Sequence, residues 1–238
     1  MPDALRLLGS AAVSVTLVLG APCKVAGQDQ DLVDSGAFEH QVGGSFAGRE
    51  TFAVRRRGDG LLAVGRITRE GGEEALRSFE VGMRLDASGL PIRYERRSRE
   101  GAPLHIVVNR AGSRLTTTIS SAAGERFNEL LANDRLLVLD PEVAHHYALL
   151  ARRIVGAADP RRLEVEALIP EDGRTVRVRV AGFSRDSLRS GGERVSATRY
   201  ELGLGSETAF VWVGTSDGRV LQVAIPARGW SALRERRE

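Results

Sequence analysis

"TVRVRVAGF", residues 175–183, is the cleanest alternating run in this chain of 238 residues. Val176, Val178 and Val180 fall on one side of an extended backbone, and Thr175, Arg177 and Arg179 on the other. A period of two, with valine facing one way and arginine the other, belongs to a strand with one buried and one wet face. That is the pattern of an antiparallel sheet. Upstream, "RLEVEALI" (162–169) repeats it, with Val165, Ala167 and Ile169 against Glu164 and Glu166.

Working outward, most of the chain has the same texture. In "RETFAVRRR" (49–57), Phe52 and Val54 share a face. In "EALRSFEVGMRLDA" (74–87), Phe79, Val81, Met83 and Leu85 alternate with Ser78, Glu80, Gly82 and Arg84. "LPIRYERRSR" carries Ile92 and Tyr94 on one side, and "PLHIVVNR" sets Leu104, Ile106 and Val108 against His105 and Asn109. Between these runs stand "GDG" (58–60), "GG" (71–72), "SG" (88–89), "EGAP" (100–103), "AG" (111–112) and "SDG" (216–218). Glycine supplies the positive φ that tight hairpins need. "AFVWV" (209–213) is apolar on both faces, which predicts a strand covered on both sides and Trp212 in the core or a pocket wall. The expected fold is mainly β: a strongly curved antiparallel sheet or unclosed barrel of about eleven strands.

One stretch breaks the rhythm. "DPEVAHHYALLARRI" (140–154) has Asp140 as a candidate N-cap, Pro141 for the first helical position and Glu142 near the positive end of the dipole. Arg152 and Arg153 suit the far end, and Gly156 a stop. This predicts one internal helix over 140–155. Val143, Tyr147, Leu150 and Ile154 form its apolar stripe, with His146 at the edge and His145 facing solvent.

Catalytic patterns are sparse. Neighbouring helical histidines do not converge on one ion, and a zinc helix would place them four residues apart with a glutamate between. His146, His105 and Asp140 are the weak metal candidates, and the expectation is no metal and no cofactor. There is no G-x-S-x-G turn and no glycine-rich phosphate loop. A hydrolase using His146 and Asp140 is the enzymatic alternative to a non-enzymatic protein.

Composition narrows the class further. Hydrophobic residues make up 42% and charged residues 27%, as in a folded globular chain. Aromatics are 5%, too few for the girdles of an outer-membrane barrel or for a base-stacking surface. The 34 basic and 31 acidic residues are interspersed, so no nucleic-acid partner is expected.

The first thirty residues read as a targeting segment. Arg6 is followed by an apolar run from Leu7 to Ala21, and Val25 and Gly27 are small residues placed for cleavage after Gly27. Removing this signal peptide (1–27) takes away Cys23, the chain's only cysteine, and leaves no transmembrane span. The remaining expectations are a flexible lead-in over 28–37, a single β-rich domain over 38–228 and a charged tail over 229–238. The compartment is periplasmic or secreted, in a bacterial envelope.

The helix "DPEVAHHYALL" (140–150) and the closing hairpin "VWVGTSDGRVLQVAIP" (211–226) sit in a plan of leader, meander, helix and hairpins. Over residues 38–226 that plan resembles secreted bacterial β-rich proteins of unknown function. More distantly, it is similar to the periplasmic lipoprotein-carrier fold. The resemblance implies a half-barrel that takes acyl chains under a helix. One helix of about fourteen residues, roughly 21 Å long, covers only part of an eleven-strand sheet. The rest of the apolar face is expected to hold a lipid or other hydrophobic molecule, with Phe79, Met83, Tyr94, Tyr147, Leu150, Phe210 and Trp212 as wall residues. An envelope structural or protein-interaction module is the alternative.

Overall fold

The computed structural model describes residues 31–70, 77–190 and 192–236. The signal peptide expected over 1–27 and the turn expected at 71–72 lie outside the described residues.

Eight strands run in sequence as a meander: β1 (Leu32–Val42), β2 (Ser45–Arg57), β3 (Gly60–Arg69), β4 (Arg77–Leu85), β5 (Pro91–Ser98), β6 (Leu104–Ala111), β7 (Arg114–Ser121) and β8 (Gly124–Leu131). A short β9 (Leu136–Val138) and the helix α1 (Ala144–Gly156) follow. Then come β10 (Val165–Ile169), β11 (Arg174–Ser190), β12 (Glu193–Leu204), β13 (Glu207–Gly214), β14 (Val220–Ile225) and β15 (Trp230–Arg234). All fifteen join one sheet, ordered from β8 inward to β1, across to β15, and outward to β9.

The described residues therefore start and finish in the middle of the sheet, where β1 pairs with β15. Its two edges, β8 and β9, are joined by residues 132–135 alone. The five steps from Leu131 to Leu136 span at most about 18 Å. The sheet must curl until its edges approach, yet β8 and β9 form no backbone ladder and the curl stays open. Side chains bridge the gap: Arg126 donates to the Glu171 carbonyl at 3.3 Å, and Asn133 donates to Glu166 at 2.8 Å.

The expectation of a curved, unclosed, mainly β sheet with one helix holds, with three corrections. Fifteen strands form, because "VGG" (42–44) and "SSAAG" (120–124) are hairpin turns and 230–234 is a strand. The sheet is mixed: β9 and β10 run parallel. A parallel pair needs a crossover, and α1 is that crossover. Finally, β1 begins at Leu32, inside the span expected as a lead-in, and the expected tail holds β15 with Trp230 buried.

The helix lies on the concave side. Residues 136–148 are buried almost without a break, including five consecutive positions from Ala144 to Ala148. A helix buried all round its first turn is enclosed rather than laid on a surface. Phe38, Ile67, Met83, Tyr94, Ile106, Leu115 and Tyr147 pack with it in one core.

Candidate functional site

The helix starts at Ala144, not at Asp140. Its N-cap is Val143, whose side chain makes no capping bond. The missing acceptor comes from across the sheet. On β2, Glu50 shares the inward face with Phe52 and Val54, and its side chain is fully buried. Its carboxylate accepts the Ala144 and His145 backbone N–H groups, both at 2.8 Å. It also meets His145 Nδ1 at 2.8 Å and His40 Nε2 at 3.2 Å. A negative charge at the positive end of a helix, with the first orphan N–H groups satisfied, is the favoured arrangement. Burial pushes the Glu50 carboxyl up, but the two histidines outweigh it and hold the group well below the usual carboxylate range.

His145, expected to face solvent, is instead fully buried. Its ring stacks on Phe52 with centroids 5.6 Å apart and meets the His146 ring edge-on at 4.8 Å. Space for it is left by Gly65 of β3, where a Cβ would stand 2.5 Å from His145 Cε1.

Asp140 has other duties than capping. Its carboxylate accepts from the Tyr94 hydroxyl at 3.2 Å and from Arg96 at 3.0 Å. Its backbone N–H donates to His146 Nδ1 at 3.0 Å. The His146 ring thus meets the Asp140 main chain and not the carboxylate, so the two do not form an acid–base couple. Burial, and then the neighbouring His145, push the His146 pKa well below its ordinary value, which keeps the ring neutral. His105 points to the convex face, bonded to Glu95 at 3.0 Å, away from both. Among the described residues, no group of three or more His, Cys, Asp or Glu is placed to hold a metal ion.

Two cavities flank this centre. One, of about 450 Å³, is polar: Arg69, Arg96 and Arg228 line it with Ser78, Phe79 and Glu171. Its arginines are already paired, Arg96 with Asp140 and Glu171, Arg228 with Glu207 and Glu142, and Arg69 with Glu142. The other, of about 220 Å³, opens between α1 and strands β3, β4 and β9. Leu61, Met83, Leu85, Leu137, Val138 and Leu149 give it an apolar wall, and His146, Arg152 and Arg153 of α1 complete the lining.

The expected wall residues are dispersed among these places. Met83 lines the apolar cavity, and Phe79 lines the polar one, stacked 4.3 Å under the Arg96 guanidinium. Tyr94, Tyr147 and Leu150 are core residues that line neither. Phe210 and Trp212 sit on the convex face, because Ala209, Val211 and Val213 take the inward positions of β13. Trp212 Nε1 donates to Asp186 there at 2.8 Å, which corrects the expectation of a core tryptophan. Glu50 and His40 were not among the expected site residues, although their parity with Phe52 and Phe38 places both on the inward face.

No family model matches the chain, and no curated protein matches it. Among solved structures, it is similar to the crystal structure of a beta-barrel-like protein of a domain of unknown function, DUF1849, from Brucella abortus. The two are 11% identical, with 84% of this chain and 94% of that chain covered, at a TM-score of 0.49.

Proposed function

We propose that this chain is an exported, non-enzymatic binding protein of the bacterial envelope that takes a small hydrophobic molecule beside α1. The apolar cavity carries this reading. α1 and the segment before it occupy the middle of the concave side, so the apolar ligand space is a pocket along the helix and not a groove running the length of a half-barrel. At about 30 Å³ per methylene- or water-sized group, 220 Å³ holds roughly seven such groups. That suits a single short acyl chain. Burying it is worth about 5 kcal/mol, which corresponds to a dissociation constant on the order of 0.1 mM.

The test is native mass spectrometry of the full chain expressed in a Gram-negative host, followed by denaturation and N-terminal sequencing. We expect a small adduct that is lost on denaturation and in Met83→Trp, and a processed chain beginning at Gln28. A bare mass together with no saturable binding of 1-octanol would refute the binding role. An unprocessed N-terminus in the soluble fraction would refute export.

A second reading, an envelope interaction module, is favoured by the free edge at β8, where Phe127 and Leu131 are 62% and 77% exposed. It predicts an envelope protein captured by the wild type and lost with Phe127→Asp. Equal recovery with both forms would sink it.

A further inference from the structure

We propose that the pocket beside α1 is built for a short linear carboxylate bearing an uncharged oxygen, hydroxyl or carbonyl, at its far end. This rests on the reading of that pocket as a ligand site, and it names the ligand's two ends.

The inner end is set by His146, which is 1% exposed and lines the pocket. Its Nδ1 accepts the Asp140 N–H, so that nitrogen carries no proton. The neutral ring must then carry its proton on Nε2. Nε2 has no hydrogen-bond partner among the described residues. A buried, unpartnered donor on a ring that lines the pocket calls for an acceptor. Because the ring is neutral, an uncharged oxygen suits it better than an anion.

The outer end is set by Arg152 and Arg153, which line the same pocket. Neither forms an ion pair with a carboxylate among the described residues, whereas Arg96, Arg228 and Arg234 all do. Arg153 is held by three main-chain carbonyls, Gly89 at 2.7 Å and Arg135 and Leu136 at 3.3 Å. Asp86 acts on it electrostatically, but the Asp86 oxygens are bonded to Arg110 and to the N–H groups of Ser88 and Leu90. A half-buried guanidinium lacking an anion is a seat for a carboxylate.

Spacing ties the two ends together. His146, Leu149 and Arg153 stand at i, i+3 and i+7, on one face of α1. Seven residues of helix rise about 10 Å, the length of a chain of roughly eight carbons. Leu149 and the strand residues Leu61, Met83 and Leu85 line the interval with apolar surface.

The experiment is calorimetric titration of the full chain with three probes: 8-hydroxyoctanoate, octanoate and 1-octanol. Octanoate lacks the far oxygen and 1-octanol lacks the carboxylate. We expect 8-hydroxyoctanoate to bind at least fivefold more tightly than either. Arg152→Gln, on an exposed side chain, should weaken the two carboxylates and leave 1-octanol unchanged. His146→Phe should erase the advantage of 8-hydroxyoctanoate over octanoate, and the wild-type series decides the matter if that variant does not fold. Equal affinity within either pair overturns the two-ended ligand while the pocket stands. Failure of all three probes to bind overturns the pocket itself.

Discussion

The Glu50 carboxylate and the His145 imidazole meet at 2.8 Å with neither side chain exposed, although 95 residues separate them in the chain. The contact ties the first meander to the crossover helix at the centre of the core. Removing one member of such a pair strands the other in a medium that cannot solvate it. Glu50→Gln should therefore cost about 3 kcal/mol in urea unfolding at neutral pH, and Glu50→Ala more. A loss below about 1 kcal/mol would show that the centre contributes little.

The same centre predicts the acid limb of stability. Glu50 and His146 both have folded-state pKa values below their ordinary ones. In each case the unfolded chain takes up a proton that the folded chain refuses, so stability falls as pH falls. The His146 contribution is complete above about pH 6.5 and erodes below it. The Glu50 contribution erodes below about pH 4.3. Unfolding free energy against pH should decline in two stages, with His146→Phe removing the upper stage and Glu50→Gln the lower. A curve that is flat from pH 7 to 5 in the wild type would contradict the first stage.

Gly65 offers a sharper probe because nothing but space is at stake. A Cβ at this position must displace the His145 ring, which is already locked between Glu50 and Phe52. Gly65→Ala should destabilise by about 1–3 kcal/mol, the range for overpacking a core. Gly82, on the adjacent strand, has open space where a Cβ would stand, with nothing within 4 Å. Gly82→Ala therefore serves as the matched control and should be near neutral. Similar losses in both would mean that strand propensity, and not the histidine ring, sets the cost.

The sheet was legible wherever alternation carried one apolar face, as in Val176, Val178 and Val180 or Phe79, Val81 and Met83. It misled at "AFVWV", because two aromatic residues can occupy a convex face when arginine and aspartate cover them. Arg199 lies 5.3 Å over the Phe210 ring, and Asp186 takes the Trp212 N–H. The helix was legible, but its start was not. A cap supplied from 94 residues away leaves no local signature, and Asp140 resembled a cap while its carboxylate was committed to Tyr94 and Arg96. Glu50 was readable from strand parity alone. What hid it was the expectation that a glutamate on a strand faces water.

The two tryptophans should report this inside–outside difference directly. Trp230 is 4% exposed, with its ring edge-on to His40 at 5.3 Å, while Trp212 is half-buried on the convex face. With Trp212→Phe, the remaining emission should be blue-shifted and poorly quenched by acrylamide. With Trp230→Phe, it should be red-shifted and readily quenched. The reverse order would place β13 in the opposite register.

The last strand is the point at which the two meanders meet, so its removal should do more than shorten a tail. β15 pairs with β1 on one side and β14 on the other. It also delivers Arg234, whose guanidinium binds both Asp34 oxygens at 2.6 and 3.1 Å and the carbonyls of Ser35 and Val220. Losing the buried Trp230 alone corresponds to about 3–5 kcal/mol. The net stability of a domain is only about 5–15 kcal/mol. A chain ending at Gly229 should thus lose its cooperative urea transition. Ending at Glu235 keeps β15 and the Arg49–Glu235 pair and, among the described residues, gives up the exposed Arg236–Glu193 contact. That chain should unfold within about 1 kcal/mol of the full length. A cooperative transition in the shorter chain would mean that β1 and β14 close the sheet without β15.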